Sequence, residues 1–309
     1  MIIFIILAVI VAFVLFLSYL AYLKAYHNRR TKKKDASVLP DGEQYKATKE
    51  LTDMLIREME AIPFERVTIE ACDGTRLVAR YYHVADSAPL HIQCHGYRGS
   101  ATYDFCGGNK LARDLGHNTL VIDQRAHGES GGHTISFGIK ERLDCIDWAK
   151  YAVDRFGKDV QIILSGVSMG ASTVLMAAGE DLPPNVVGII ADSPYSSPKE
   201  IILKVCGDIG LPPKLSYPFA LLGARIFGGF NLTESNAIDA VAHSKTPILL
   251  IHGEADKFVP CEMSERIAAS CSSKITFETF PDAGHVLSFV VAPDRYVTLV
   301  KNFIKEICK

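Results

Sequence analysis

The sequence lacks the common motifs that bind metals, nucleotides and redox cofactors. It has no G-x-x-x-x-G-K-[ST] phosphate loop, no G-x-G-x-x-G after a predicted strand and no cofactor-attachment motif. None of its eight cysteines forms a C-x-x-C pair, which argues against a zinc site and against a disulfide framework. His91 and His95 are four residues apart, but on a predicted strand rather than a helix. We therefore expect no metal, no cofactor and free thiols, as in a reducing compartment.

Acidic residues are absent from the first part of the chain, where no Asp or Glu precedes Asp35. Six basic residues lie within 24–34, and the rest of the chain has 27 Lys and Arg against 35 Asp and Glu, a net charge of about −8. This acidic balance argues against a catalytic domain that binds nucleic acid. The six basic residues are Lys24, Arg29, Arg30, Lys32, Lys33 and Lys34.

Residues 2–23 carry no charged side chain, and sixteen of them are Ile, Leu, Val or Phe. As a helix these residues would extend about 33 Å, enough to cross the hydrocarbon core of a bilayer. A cleaved signal peptide is the alternative, but the basic start and a good small-residue cleavage site are both missing. We interpret residues 1–23 as a single transmembrane helix and 24–42 as a basic juxtamembrane linker.

The positive-inside rule places the basic cluster, and with it the remainder of the chain, in the cytoplasm. A periplasmic or luminal domain is an alternative, and the basic run could also be only a solvated linker. The chain thus contacts a membrane through its N-terminal helix, and nothing in the sequence points to a particular oligomeric state.

The pentapeptide Gly-Val-Ser-Met-Gly, from Gly166 to Gly170, follows a short apolar run and precedes small residues typical of a helix start. It fits the G-x-S-x-G nucleophile elbow, in which a sharp turn exposes the serine and the glycines relieve crowding. Ser168 would then be a nucleophile, provided that a base lies beside it. The pentapeptide alone occurs by chance in roughly one chain in ten of this length, and its serine could simply cap a helix.

Partners for Ser168 follow in the chain. Asp256 lies just beyond a predicted strand, and His285 follows the next one. The order Ser, Asp, His is that of α/β-hydrolases and differs from the orders in chymotrypsin and subtilisin. Two other acids also end predicted strands. Asp192 is a weaker candidate for the triad acid. Asp123 precedes the serine in the chain, and we interpret it as a structural residue that bonds to the turn at Arg125–His127.

From about residue 64 to its end, the chain resembles the α/β-hydrolase superfamily, in particular its serine-aminopeptidase-like and monoacylglycerol-lipase-like branch. One departure is Ala126, at a position where glycine is more usual. The motifs that carry the resemblance lie at residues 94–100, 123–130, 166–170, 251–256 and 284–285.

The resemblance implies a role for each site residue. Ser168 attacks a carbonyl carbon, His285 accepts its proton and returns it to the leaving group, and Asp256 orients the imidazole. The backbone N–H groups of Met169 and Tyr97 would form the oxyanion hole. The Tyr97 side chain could also form part of the pocket wall.

Predicted strands alternate with helical patterns, clearest at 139–156 and 293–307, and this alternation is typical of a mostly parallel sheet with helices on both faces. We expect an α/β-hydrolase domain over residues 43–309, with eight strands and an amphipathic helix at 43–61. The predicted strands are 64–72, 77–84, 90–95, 119–123, 160–164, 187–191, 248–252 and 275–280.

Residues 193–245 are too long for an ordinary connection and contain two apolar helical candidates, 200–206 and 219–227. We interpret them as a lid that forms an apolar acyl pocket over Ser168, the alternative being an insertion that only packs on the core. With the membrane helix, a lid favours a hydrolase of lipid or other acyl esters or thioesters. A serine peptidase of aminopeptidase type and a non-catalytic binding protein remain alternatives, and the peptidase would need an acid such as Glu200, Asp208 or Glu234 to hold a peptide amine.

Overall fold

Eight strands form one sheet in the part of the chain that this computed structural model describes, residues 1–28 and 48–308. They match the predicted number and the predicted positions to within a few residues. In chain order the strands are β1 (Glu65–Glu70), β2 (Arg76–Tyr82), β3 (Leu90–Cys94), β4 (Asn118–Asp123), β5 (Ile162–Val167), β6 (Val186–Asp192), β7 (Ile248–Gly253) and β8 (Ile275–Phe280).

The strand order across the sheet is β1-β2-β4-β3-β5-β6-β7-β8. Only the β1–β2 and β2–β4 pairs are antiparallel, and the other neighbours run parallel. The mostly parallel sheet predicted from the sequence is therefore confirmed. Because the strands from β4 to β8 point the same way, the loops that follow them meet at one edge of the sheet.

The described helices cover both faces of the sheet. Successive residues of β5 show this: Ile162 and Leu164 pack with Trp148 on one face, and Ile163 packs with Phe303 on the other. The helices are α1 (Ile2–Ala25), α2 (Lys49–Glu60), α3 (Ala101–Asp114), α4 (Glu141–Phe156), α5 (Met169–Ala177), α6 (Pro198–Asp208), α7 (Pro213–Ile226), α8 (Ala237–Val241), α9 (Glu262–Ser270), α10 (Ser288–Val291) and α11 (Pro293–Ile307).

Two predicted segments differ from the structure in their bounds. The amphipathic pattern at 43–61 corresponds to α2, while its first residues, 43–47, lie outside the described residues. The second insertion helix begins before the predicted 219–227, because α7 continues through Pro218. A proline inside a helix removes one backbone hydrogen bond to the preceding turn, and α7 accommodates this loss at Pro218.

The chain that leaves α1 is fixed to the domain. Tyr26 is fully buried, with its ring edge-on to Phe137 and Phe230 at centroid distances of 5.7 and 5.3 Å. The N–H of Ile135 donates to the carbonyl of Tyr26 at 2.8 Å. Residues 24–28 of the predicted linker thus belong to α1 and to the domain, and residues 29–42 lie outside the described residues.

Candidate active site

Ser168 lies between the end of β5 and the start of α5, in a strained backbone conformation with φ 52° and ψ −118°. Positive φ is rare for residues other than glycine and is found where surrounding structure enforces it. The flanking glycines leave no space for a side chain, because a Cβ on Gly166 would overlap the carbonyl of Gly170, and one on Gly170 would overlap that of Cys94. The turn therefore has the geometry expected of a nucleophile elbow.

Ser168, His285 and Asp256 form a continuous chain of hydrogen bonds. The Oγ atom of Ser168 is 2.8 Å from Nε2 of His285, and Nδ1 of His285 is 2.7 Å from Oδ2 of Asp256. These distances are those required between a nucleophile, its base and the group that orients the base. The structure thus brings together the three residues that the sequence order selected.

The carboxylate of Asp256 is held in one orientation and kept ionised. Its Oδ1 accepts hydrogen bonds from the backbone N–H groups of Phe258 (2.9 Å) and Val259 (2.8 Å). Burial opposes ionisation, but hydrogen bonds from His252 and His285 outweigh it and hold the pKa of Asp256 below its ordinary value. A charged Asp256 can stabilise the imidazolium that forms during catalysis.

His252 is a site residue that the sequence reasoning missed. It is fully buried at the end of β7, and its Nε2 lies 3.3 Å from Oδ2 of Asp256, while its Nδ1 lies 2.6 Å from the hydroxyl of Ser264. The available signal was its position in the Ile-His-Gly-Glu-Ala-Asp run that ends at Asp256. The same Nε2 of His252 is 2.9 Å from the carbonyl oxygen of Val259, so His252 links the end of β7 to the loop that carries Asp256.

The two competing acids have other partners. The hydroxyl of Ser193 donates to Oδ1 of Asp192 at 2.9 Å, and the carbonyl of Asp192 accepts from the N–H of Ser168. The carboxylate of Asp123 accepts from the N–H of Glu129 at 2.9 Å, within the turn that follows β4. Asp256 is therefore the acid that accepts the hydrogen bond from Nδ1 of His285.

The turn after β3 lies directly against the elbow. A Cβ on Gly96 would be only 3.4 Å from Cβ of Ser168, so the chain entering Tyr97 is adjacent to the hydroxyl. Met169 is the first residue of α5. Among the described residues, neither the N–H of Tyr97 nor that of Met169 donates a hydrogen bond to the protein. Both groups are available to a ligand oxygen beside Ser168.

Two histidines connect this turn to the one after β4. The Nε2 of His127 accepts from the N–H of Arg98 at 3.0 Å, and the Nε2 of His95 accepts from the N–H of Gln124 at 3.0 Å. Ala126, the departure noted in the sequence, has φ 63°, where glycine is favoured. Ala126 adopts this conformation at a backbone cost of about 1–2 kcal/mol relative to glycine.

A cavity of about 460 Å³ opens beside Ser168 and His285. Its walls are largely apolar and come from α2, α3, α10 and the loop after β7. Apolar lining residues include Leu55, Phe105, Leu111, Phe258, Phe289 and Val290.

The predicted lid does not form this cavity. No residue of 193–245 contributes to its lining. The apolar side chains of the insertion instead pack on α1 and on Ile135, Phe137 and Ile139, in a cluster that also includes Met169. The expected acyl pocket formed by the insertion therefore does not correspond to this cavity, and only the inward-facing apolar side chains of the insertion pack on α1 and the core.

Asp104, in the first turn of α3, also lines the cavity and was missed by the sequence reasoning. Its Oδ2 accepts a hydrogen bond from the N–H of Gly96 at 2.7 Å. Burial raises the pKa of Asp104. A carboxyl group in this place fixes Gly96, the residue that precedes Tyr97, and so orients the turn beside Ser168.

Comparison with known protein families agrees with this geometry. Residues 92–205, which include Ser168, match a family model described as "alpha/beta hydrolase fold". Residues 219–287, which include Asp256 and His285, match a model described as "Serine hydrolase (FSH1)". The chain has the α/β-hydrolase fold. Both matches support a place in the α/β-hydrolase superfamily and a hydrolase of the serine type.

Several curated proteins are similar to the chain over most of its length. It is 28% identical to YqkD of Bacillus subtilis over 229 residues, 72% of this chain and 74% of that protein. It is 23% identical to the uncharacterized membrane protein YNL320W of Saccharomyces cerevisiae, over 81% of this chain and 82% of that one. The Pyrococcus furiosus esterase Pf2001 superposes with a TM-score of 0.70 at 22% identity, covering 93% and 99% of the two chains.

Proposed function

We propose that the protein is a serine hydrolase that cleaves carboxylic esters or thioesters of hydrophobic acyl groups through an acyl-enzyme intermediate. The unbroken hydrogen-bonded chain from Ser168 through His285 to Asp256 is the observation that carries the proposal. The esterase named among the structural neighbours supports the same class.

Each step of the reaction has a group in place. Oγ of Ser168 attacks the carbonyl carbon while its proton passes to Nε2 of His285. The resulting oxyanion accepts hydrogen bonds from the N–H groups of Tyr97 and Met169. When the intermediate collapses, His285 protonates the departing alkoxide or thiolate. A water molecule then gives its proton to His285 and attacks the acyl carbon, which releases the acid and regenerates Ser168.

The cavity favours an apolar acyl group over a peptide with a free amine. Its lining is mostly apolar, and it contains two carboxyl groups, Asp104 and Asp192. Both are already engaged, with the N–H of Gly96 and the hydroxyl of Ser193. An aminopeptidase would need a carboxylate directed at the substrate amine, and buried acids bonded within the protein serve this purpose poorly.

A series of p-nitrophenyl esters of increasing acyl length, compared with aminoacyl p-nitroanilides, tests the proposal. We expect kcat/KM to rise by up to about fourfold per added methylene until the cavity is full, because each buried CH₂ contributes roughly 0.8 kcal/mol. Hydrolysis of the anilides alone would establish a peptidase and overturn the ester assignment.

Paired variants test which surface holds the acyl group. Val290→Trp places a bulky side chain in the cavity and should lower kcat/KM for long esters much more than for the acetate. Leu215→Trp, on an exposed position of the insertion, serves as the control and should leave the series unchanged. If Leu215→Trp changes the ester series and Val290→Trp does not, the insertion and not the cavity binds the acyl group.

α1 is the proposed membrane anchor, with the catalytic domain on the cytoplasmic side. It is the one helix of the described residues that is long and apolar enough to cross a bilayer, with a mean hydropathy of 3.1, and it has little buried surface. The name of the yeast relative as a membrane protein supports this proposal. The basic residues after the helix support the cytoplasmic orientation.

A further inference from the structure

The two halves of α1 have different surroundings. The side chains of residues 2–13 are exposed, whereas one face of the second half is covered by α7. Contacts at intervals of three and four residues mark a single helical face. The covered or half-covered residues on this face are Val14, Leu17, Ser18, Ala21, Tyr22 and Ala25.

The contact between α1 and α7 is a close one. The carbonyl oxygen of Ser18 in α1 packs directly on Gly223 in α7. A Cβ atom at Gly223 would overlap this oxygen and would lie 3.2 Å from the backbone nitrogen of Tyr22. The ring of Phe227, just after α7, is edge-on to Tyr19 at a centroid distance of 5.1 Å. Small residues that let two backbones approach are typical of helix packing within membranes.

The length of α1 determines how deep this contact lies. Residues 2–13 extend only about 18 Å, whereas the hydrocarbon core of a bilayer is about 30 Å thick. The exposed half cannot cross the bilayer alone, so the half that packs on α7 must complete the crossing. Ser18 and Tyr19, and with them Gly223 and Phe227, then lie below the membrane surface.

The composition of α7 fits this position. Its inward face includes the buried Ala220 and Ala224, and its outward face is also apolar. A helix that is apolar on all sides is usually enclosed by protein or lipid. The outward stripe is left largely open to the surroundings: Leu215 is 66% and Ile226 is 50% exposed, and the other two members are half-buried. The stripe consists of Leu215, Phe219, Leu222 and Ile226, and the charged residues of α7 are Lys214 and Arg225, near its two ends.

We infer that α7 is immersed in the bilayer beside α1, in the half next to the domain, with its outward stripe facing lipid acyl chains. The inference rests on the proposed membrane anchoring of α1. It places the active site at the membrane surface, because the hydroxyl of Tyr97 donates to the carbonyl of Ala25 (2.9 Å) and the guanidinium of Arg98 to that of Lys24 (2.8 Å). Substrates would then be amphiphilic acyl esters that enter from the bilayer.

Tryptophan quenching in vesicles tests this inference with the full-length chain. The vesicles contain phosphatidylcholine and phosphatidylglycerol, with or without bromine on the acyl carbons near the glycerol. The variants are Ile226→Trp in α7, Phe16→Trp in α1 and Phe64→Trp, an exposed position just before β1 whose ring contacts Tyr82 and Arg80. All three replace exposed side chains, so folding should be retained, and the buried native Trp148 adds the same background to each.

We expect brominated lipid to quench the added fluorescence of Ile226→Trp and Phe16→Trp to a similar extent and to leave Phe64→Trp unchanged. If Phe16→Trp is quenched but Ile226→Trp is not, α1 is in the membrane, and α7 is outside it or covered by a second copy of the chain. That result overturns the inference about α7 and leaves the anchoring proposal intact. If neither is quenched, the anchoring proposal fails together with the inference.

Discussion

Replacing Ser168 by alanine is expected to lower kcat for ester hydrolysis by about 10⁶-fold, the size of effect seen when the nucleophile of a serine hydrolase is removed. The loss follows from the geometry, because Oγ of Ser168 lies 2.8 Å from Nε2 of His285, the base that would accept its proton. The measurement is the initial rate on the best p-nitrophenyl ester of the series.

The folded state should survive the change. Alanine at residue 168 keeps the backbone hydrogen bond between its N–H and the carbonyl of Asp192. The urea midpoint of Ser168→Ala should therefore stay close to that of the wild type, which separates loss of chemistry from loss of structure. A variant that folds normally and retains more than a hundredth of the wild-type rate would rule out Ser168 as the nucleophile.

Replacing Asp256 by asparagine is expected to lower kcat by about 10⁴-fold. Asparagine retains an oxygen that can accept from the N–H groups of Phe258 and Val259, so the loop should keep its form. Its NH₂ group then faces Nδ1 of His285, which stabilises the wrong tautomer of the imidazole and removes the charge that supports the imidazolium. Single-turnover rates on the same ester measure the effect.

Asp192→Asn is the matched control. Asp192 is also a buried acid at a strand end, but its carboxylate is bonded to Ser193. Its replacement should lower kcat far less than that of Asp256. If Asp192→Asn causes the greater loss, the acid of the triad is Asp192, and the preference for Asp256, which rests on its motif and its hydrogen bond to His285, is wrong.

The sheet could be predicted from the sequence because its strands are short apolar runs bounded by turn residues. Each of the eight predicted segments overlaps a strand, and only the ends differ, as with β5, which continues to Val167 at the elbow. The order of Ser168, Asp256 and His285 was also readable, since each residue directly follows a strand or the turn after it. Local patterns were sufficient for these features.

Other parts of the site depend on contacts between distant segments. Nothing near Asp104 in the sequence indicates that its carboxylate meets Gly96, and the role of His252 depends on how β7 and the following loop place Asp256. The sequence also did not show whether the insertion at residues 193–245 forms a lid or packs on α1. Its apolar residues fit a lid as well as a contact with α1, and the two are distinguished by the cavity lining and by the packing of Gly223 on Ser18.

The most direct test of Ser168 as an activated nucleophile is the reaction of the full-length protein with a fluorophosphonate probe, followed by mass spectrometry of the labelled peptide. We predict one adduct, on Ser168, which is absent from Ser168→Ala and is formed much more slowly by Asp256→Asn. Such a probe requires a serine whose hydroxyl is activated by a neighbouring base. A folded wild-type protein that stays unlabelled, or that carries the adduct on another residue, would contradict the proposed serine hydrolase.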